Sequence, residues 1–360
     1  MKRILFFADA SSIPTPRWVR EMAARGFDCV VATRRPAEVP GASEVIALRP
    51  GGDAAGWFLA IPAVHRLTRR LNPQWVHGHY LTSYGLWAAA SRPGPQVPVV
   101  LTAWGTDILV TPRAPGLRGA AMSALLGWTL QRAALVTADS ADALAEIRRH
   151  GTPARCEEIL WGADTERFRP GVPAAGFGIA SLRSWEPNYQ IDTLLRALAQ
   201  FRTERPQAGA ALQLLGGGPD EPALRALAAT LGLGESVRFT GRVDDAGLVA
   251  ALQRARVSVS VPRSDATSVS LLESMACGLP VIASDLPANR AWVDPALTVP
   301  AGDPQALAAA LRRLHDEPDF ARAQGQRNRE VAVQRASRRV QMNRMAVLYE
   351  SLRMKAPGPA

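Results

Sequence analysis

Cysteine and lysine are both scarce in this chain of 360 residues. The three cysteines, Cys29, Cys156 and Cys277, are odd in number and lack metal-ligand spacing, which argues against a disulfide framework or a structural zinc and for reduced thiols in a cytoplasmic protein. Lysine occurs only at Lys2 and Lys355, so nearly all the positive charge behind the net +10 is arginine. That excess is spread out, with 20 basic and 14 acidic residues in 1–170 and 22 and 18 beyond. Without a basic tract or an aromatic stacking motif it argues against nucleic-acid binding; it fits solvated helix faces, an anionic small ligand or an acidic membrane surface. Long hydrophobic runs are missing too. The opening "MKRILFFADA" turns acidic at Asp9, so its apolar run is too short for a signal peptide or a transmembrane span and reads as a first buried strand. The apolar and basic stretch "GLRGAAMSALLGWTLQRAA" suggests at most a peripheral contact with the inner face of a membrane.

What the chain does contain is core material, 47% hydrophobic residues over a length that predicts two domains. "RILFFAD", the helical pattern "PRWVREMAARG" and the unbroken apolar run "FDCVVATR" form a β-α-β unit, and the alternation continues through "PQWVHGHY", "VPVVLTAWG" and "ALVTADS". The Pro- and Gly-rich "FRPGVPAAGFG" (168–178) reads as a linker. A second series follows it: "GIASLR", "ALQLLGGGP", "SVRFTGRV", "VSVSVPRS" and "PVIASD", with helices between. The expectation is α/β with two doubly wound, Rossmann-like parallel-sheet domains, 1–170 and 171–334, facing across a cleft at the carboxyl ends of their strands. A basic amphipathic helix near 335–354 crosses back onto the first domain.

One stretch carries chemistry. In "VSVSVPRSDATSVSLLESMACGLP" a strand, a turn and a short helix follow one another, with Gly278 as the left-handed stop. The helix N-terminus offers unpaired amides from Thr267 through Ser268 and Val269 to Ser270, a site for phosphate or sugar hydroxyls. Glu273, one turn further in, can accept both hydroxyls of a ribose, and Asp265, at the loop mouth, the hydroxyls of a sugar. Taken singly, Asp265 reads equally as a helix cap and Glu273 as a surface residue. Arg183 follows a strand end, where its fork can grip a diphosphate or form a surface ion pair. His77 and His79 end another strand; the pair is expected to splay, with only His79 facing the cleft, although a packing role is the commoner one for such residues. Asp244 and Asp245 begin a helix and read as caps, not metal ligands.

The eight-residue step from Asp265 to Glu273, followed by "ESMACGLPVIASDLPANR", resembles the E-x7-E region of retaining glycosyltransferases of the GT-B fold, family 4, with aspartate in place of the first glutamate. "SLRSWEPNYQIDTLLRAL" is similar to that family's donor-diphosphate segment; "LLGGGP" and "FTGRV" are similar to its nucleotide-side loops, and "HGHYLTSYGL" and "LTAWGTD" to two landmarks of its N-terminal domain. The resemblance implies transfer of a sugar from a nucleotide-diphosphate sugar to an acceptor hydroxyl, retaining the anomeric configuration, with no metal and no cofactor beyond the donor. It assigns Arg183, Asp265 and His79 to catalysis, and Glu273, Thr267, Ser268, Val269, Ser270, Gly217, Arg242, Val243 and Trp104 to the donor. The chain departs from the commoner pattern in three places. The lysine that accompanies the arginine is missing, with Tyr189 near its place and Arg263 the nearest other cation in the sequence. Trp104 stands where many relatives have histidine, and "DASSIPTPRW" lacks a glycine pair. A nucleotide-sugar epimerase and a catalytically silent binding partner remain alternatives.

Overall fold

In the computed structural model, residues 2–49, 55–91, 96–104, 106–109 and 116–354 are described, apart from a few side chains. The chain divides into two compact units, Met1–Trp161 with Arg339–Ala360, and Gly162–Arg338.

Unit 1 is built on seven strands, β1 (Lys2–Phe7), β2 (Phe27–Thr33), β3 (Ala42–Ala47), β4 (Trp75–His79), β5 (Val99–Thr102), β6 (Leu135–Ala138) and β7 (Arg155–Glu158). They pair in parallel in the order β3-β2-β1-β4-β5-β6-β7. The continuous apolar runs lie in the middle of the sheet, where β1, β2 and β4 are covered on both faces. The edge strands β3 and β7 carry Glu44, Glu157 and Glu158 and are only partly buried, which is why no apolar run announces them. The helix Arg338–Met354 lays Met342, Met345, Leu348 and Tyr349 into this unit's core beside Phe27 and Trp75. The Gly116–Leu130 helix buries Leu126 and Leu130 and exposes Trp128; no described helix is long and apolar enough to cross a membrane.

Unit 2 contains β8 (Gly178–Ser181), β9 (Ala211–Leu215), β10 (Val237–Gly241), β11 (Val257–Ser260), β12 (Val281–Ser284) and β13 (Thr298–Val299), paired in parallel as β10-β9-β8-β11-β12-β13. Chain order reverses between β8 and β11. In an open parallel sheet the loops leaving two such strands diverge and leave a crevice at their carboxyl ends, and here those loops carry Arg183 and the Asp265–Ser268 turn.

Candidate active site

Three loops meet at the carboxyl ends of β8, β9 and β10. Gly216 and Gly218 permit this: a Cβ on Gly216 would stand 2.3 Å from the Arg183 carbonyl oxygen, and one on Gly218 2.2 Å from that of Trp185. The Trp185 amide donates to the Gly217 carbonyl at 3.1 Å and the Gly216 amide to that of Gly241 at 3.0 Å. Gly217 lies beside Arg242, an exposed residue whose Nε would be 3.7 Å from a Cβ there. Val243 packs near Gly247, and Asp244 caps the following helix by accepting from the Gly247 amide at 2.8 Å.

Across the crevice, the helix Val269–Ala276 begins at the first residue of "VSLLESMACG", where the sequence puts it. Ser268 is its N-cap, with Oγ accepting from the Leu271 amide at 3.4 Å, and Thr267 lies outside it. The first-turn amides left for a ligand are therefore those of Val269 and Ser270, a correction to the span Thr267–Ser270. The other end of the helix is closed by Gly278 at φ +73° and by Arg329, whose Nη1 donates to the Ala276 carbonyl at 2.7 Å. A 2.8 Å hydrogen bond between the Ser258 and Ser274 hydroxyls ties the helix to β11. Glu273 is only 4% exposed, so the alternative of a surface residue does not hold. Its charge, after burial itself, helps push the Cys277 thiol up to about 12.

Arg183 is also buried, and its guanidinium spans the crevice. Nη2 donates to Asp265 Oδ2 at 2.6 Å; Nη1 donates to Ser270 Oγ at 3.1 Å and to Ser268 Oγ. The guanidinium carbon lies 4.4 Å from the centre of the Tyr189 ring. Asp265 Oδ1 accepts from the Ala266 amide at 3.1 Å, so both of its oxygens are engaged and it does not stand open at the loop mouth. The physical reason is charge neutralisation: a carboxylate only 21% exposed is stabilised by the nearest guanidinium. Burial still pushes the Asp265 carboxyl above the usual carboxylate range, against the opposing pull of Arg183 and the Ala266 amide. Arg263 does not join this group. It is exposed and lines a separate cavity of about 390 Å³ with Glu186, Asp192 and Asp220.

In unit 1 the two N-terminal landmarks are joined by one buried carboxylate. Asp107 accepts from the Leu81 amide at 2.7 Å and from the Trp104 amide at 3.0 Å. Gly105, between them in the second landmark, lies outside the described residues. Gly78 and Gly85 pack against each other, a Cβ on Gly78 coming within 2.8 Å of the Gly85 Cα. His77 and His79 do not splay: their ring centroids are 4.8 Å apart, because residues two apart on a strand share a face. Both are fully buried. His77 bonds Thr102 Oγ1 at 2.7 Å and the Tyr349 hydroxyl at 2.6 Å. His79 sits among Phe6, Trp18 and Trp104 with no hydrogen-bond partner on either ring nitrogen among the described residues, and burial lowers its pKa to about 3. The half-buried Trp104 stacks edge-on to Trp18, His79 and Trp161. No cluster of three metal-ligating side chains occurs among the described residues.

Comparison with known proteins decides the family. Residues 3–140 match the model of the glycosyl transferase 4-like domain, and residues 177–317 that of glycosyl transferases group 1. The chain belongs to the GT-B glycosyltransferases. A D-inositol 3-phosphate glycosyltransferase of Salinispora arenicola is 31% identical over 277 residues, 66% of this chain and 60% of that protein. A D-rhamnosyltransferase, WbpZ, of Pseudomonas aeruginosa is 39% identical over 118 residues, 31% of each chain. Both matches span less than two thirds of the relative's own length. Sucrose-phosphate synthase of Thermosynechococcus elongatus shares the fold with a TM-score of 0.83 at 21% identity, covering 99% of this chain and 100% of that one. The two doubly wound units are therefore those of the GT-B fold.

Among the residues that resemblance assigns, the structure brings Arg183, Asp265, Ser268 and Ser270 into direct contact. Gly217 and Arg242 form a second group on the loops after β9 and β10. Neither Tyr189 nor Asn188, which pins the Tyr189 loop, was assigned from sequence. The likeness of "SLRSWEPNYQIDTLLRAL" to a donor-diphosphate segment and the missing lysine were the signals pointing to that loop.

Proposed function

We propose that this protein transfers a sugar from a nucleotide-diphosphate sugar to an acceptor hydroxyl with retention of configuration. One observation carries the reading: at the topological switch point of unit 2, a buried arginine is held over the free amides of a helix N-terminus. Such a pair suits a diphosphate leaving group, whose negative charge grows as the glycosyl–phosphate bond breaks. Arg183 has five N–H donors and uses three in the bonds named above; Nε is buried, so the second N–H of Nη2 is the one left for a phosphate oxygen.

In this reading Glu273 accepts the ribose hydroxyls, and Gly217, Arg242 and Val243 lie toward the base. The hydroxyls of Ser268 and Ser270 and the amides of Val269 and Ser270 assist the phosphates. Thr267 borders that turn. Asp265 orients Arg183 and meets the sugar only through its remaining lone pairs. His79, neutral at working pH, supports Trp104 and is not a general base. Retention is supported by the resemblance to retaining enzymes and by the engagement of Asp265, which is not free to act as a nucleophile. The anionic donor also gives the net charge of +10 a use.

The test is incubation with UDP-, GDP-, TDP- and ADP-sugars and a set of hydroxyl acceptors, reading the anomeric configuration of the product by NMR. A glycoside with the donor's configuration supports the reading. An inverted glycoside removes retention, and a free epimer formed without acceptor replaces transfer with epimerisation.

A further inference from the structure

The donor site has one buried guanidinium and, in the loop after β8, no lysine. What takes the lysine's place is visible in the geometry. Tyr189 lies six residues after Arg183, and its ring centre is 4.4 Å from the guanidinium carbon. The ring is held there by its own loop. Residues Pro187–Tyr189 form a tight turn that ends with Gln190 in the left-handed region, at φ +52°. Asn188 pins this turn to the segment carrying Asp265 with three bonds: its Nδ2 donates to the Ser264 carbonyl at 2.9 Å, its Oδ1 accepts from the Ser264 amide at 3.2 Å, and its carbonyl accepts from the Arg263 amide at 2.8 Å. Asp265 and the Ser268 and Ser270 hydroxyls hold the edge of the same guanidinium whose face rests on the ring.

We propose that Tyr189 is a positioning residue that stands in for a second cation. Its ring fixes the plane of Arg183, so that this guanidinium, with the amides of Val269 and Ser270, holds the diphosphate alone. The inference rests on the donor-site reading above. A stacked guanidinium loses little further freedom on binding phosphate, because its fork is already oriented. Arg263, the arginine of the turn after β11, is exposed and lines a separate cavity with Glu186, Asp192 and Asp220, and it makes no contact with Arg183 or Asp265 among those described. The site therefore binds a diphosphate with one fixed side-chain charge, and its affinity should fall less steeply with salt than that of a two-cation site.

The experiment titrates UDP, GDP, TDP and ADP calorimetrically into the wild type and takes the tightest binder forward into Tyr189→Phe, Tyr189→Leu, Tyr189→Lys and Arg183→Ala, each checked for an unchanged thermal midpoint at Tyr189. Tyr189→Phe keeps the ring face and should bind within about twofold of wild type. Tyr189→Leu should bind about five- to tenfold more weakly, the effect of one cation–π contact. Tyr189→Lys should recover the affinity with a steeper salt dependence, because it supplies the second charge. With donor in excess, Tyr189→Leu should raise KM more than it lowers kcat. Wild-type affinity in Tyr189→Leu overturns the inference, as does a Tyr189→Phe variant as weak as Tyr189→Leu. If no nucleoside diphosphate binds the wild type, or if Arg183→Ala binds as well as wild type, the donor-site reading falls together with it.

Discussion

Replacing Arg183 by alanine should damage the protein twice, and the two losses can be separated. The guanidinium is 9% exposed and its partner Asp265 21% exposed, so the substitution strands a mostly buried carboxylate. Removing one member of a fully buried pair costs about 3–5 kcal/mol; the residual access of water to Asp265 brings the expected loss to about 2–3 kcal/mol. The loss depends on pH in a defined direction. Burial already pushes the Asp265 carboxyl upward, and without Arg183 nothing but the Ala266 amide opposes it. The folded state then binds more protons than the unfolded state between the ordinary carboxylate range and the raised value. Stability of Arg183→Ala should therefore decrease as pH rises through that window. Urea unfolding at pH 5 and pH 8 reads this, with the deficit relative to wild type larger at pH 8. Adding Asp265→Asn removes the stranded charge and should return at least half of the lost stability while leaving turnover depressed by about 100-fold or more, the scale expected for losing one stabiliser of a developing anion. Equal deficits at the two pH values would refute the buried-pair argument. So would a double variant no more stable than Arg183→Ala.

Three further outcomes follow from the same structure. Gly218→Ala should cost about 1–3 kcal/mol of stability by thermal melting and should weaken donor binding, because the new methyl meets the Trp185 carbonyl oxygen at 2.2 Å. Glu273→Gln should weaken nucleoside-diphosphate binding by about 1.5–3 kcal/mol in calorimetry, the contribution of a hydrogen bond to a charged group, with the fold intact. His79 should give pH-independent imidazole NMR shifts between pH 5 and 8, since its pKa is lowered to about 3. A histidine whose folded pKa lies below its unfolded value makes stability fall as pH drops below about 6.5, by about 1.4 kcal/mol per unit; alanine or leucine at His79 should flatten that acid limb.

The central strands and the parallel character of the two sheets were legible because buried parallel strands must read as continuous apolar runs, as "ILFF" and "CVVA" do. The edges were not. β3 alternates half-exposed positions, β7 reads "RCEE", and β13 is two residues long, so pairing rather than composition defines them. In the donor site, the strand-end position of Arg183 and the helix stop at Gly278 were readable from local turn chemistry, whereas the N-cap proved to be Ser268 and not Asp265. The partners were not: Asp265 meets Arg183 across 82 residues of sequence, and nothing local says that a carboxylate assigned to sugar will neutralise an arginine. The pairing of His77 with His79 was available from strand periodicity, which puts them on one face. The surroundings of His77 depended on the Arg338–Met354 helix, whose Tyr349 reaches it from 272 residues away.

The most direct test of the account is calorimetric titration of UDP, GDP, TDP and ADP into the wild type and into the Arg183→Ala/Asp265→Asn double variant, chosen because its fold is expected to recover. The account predicts saturable binding of at least one nucleoside diphosphate to the wild type and binding at least tenfold weaker in the folded double variant. No binding of any of the four to the wild type, or equal affinity in the two proteins, would contradict a diphosphate site built on Arg183 and the amides of Val269 and Ser270.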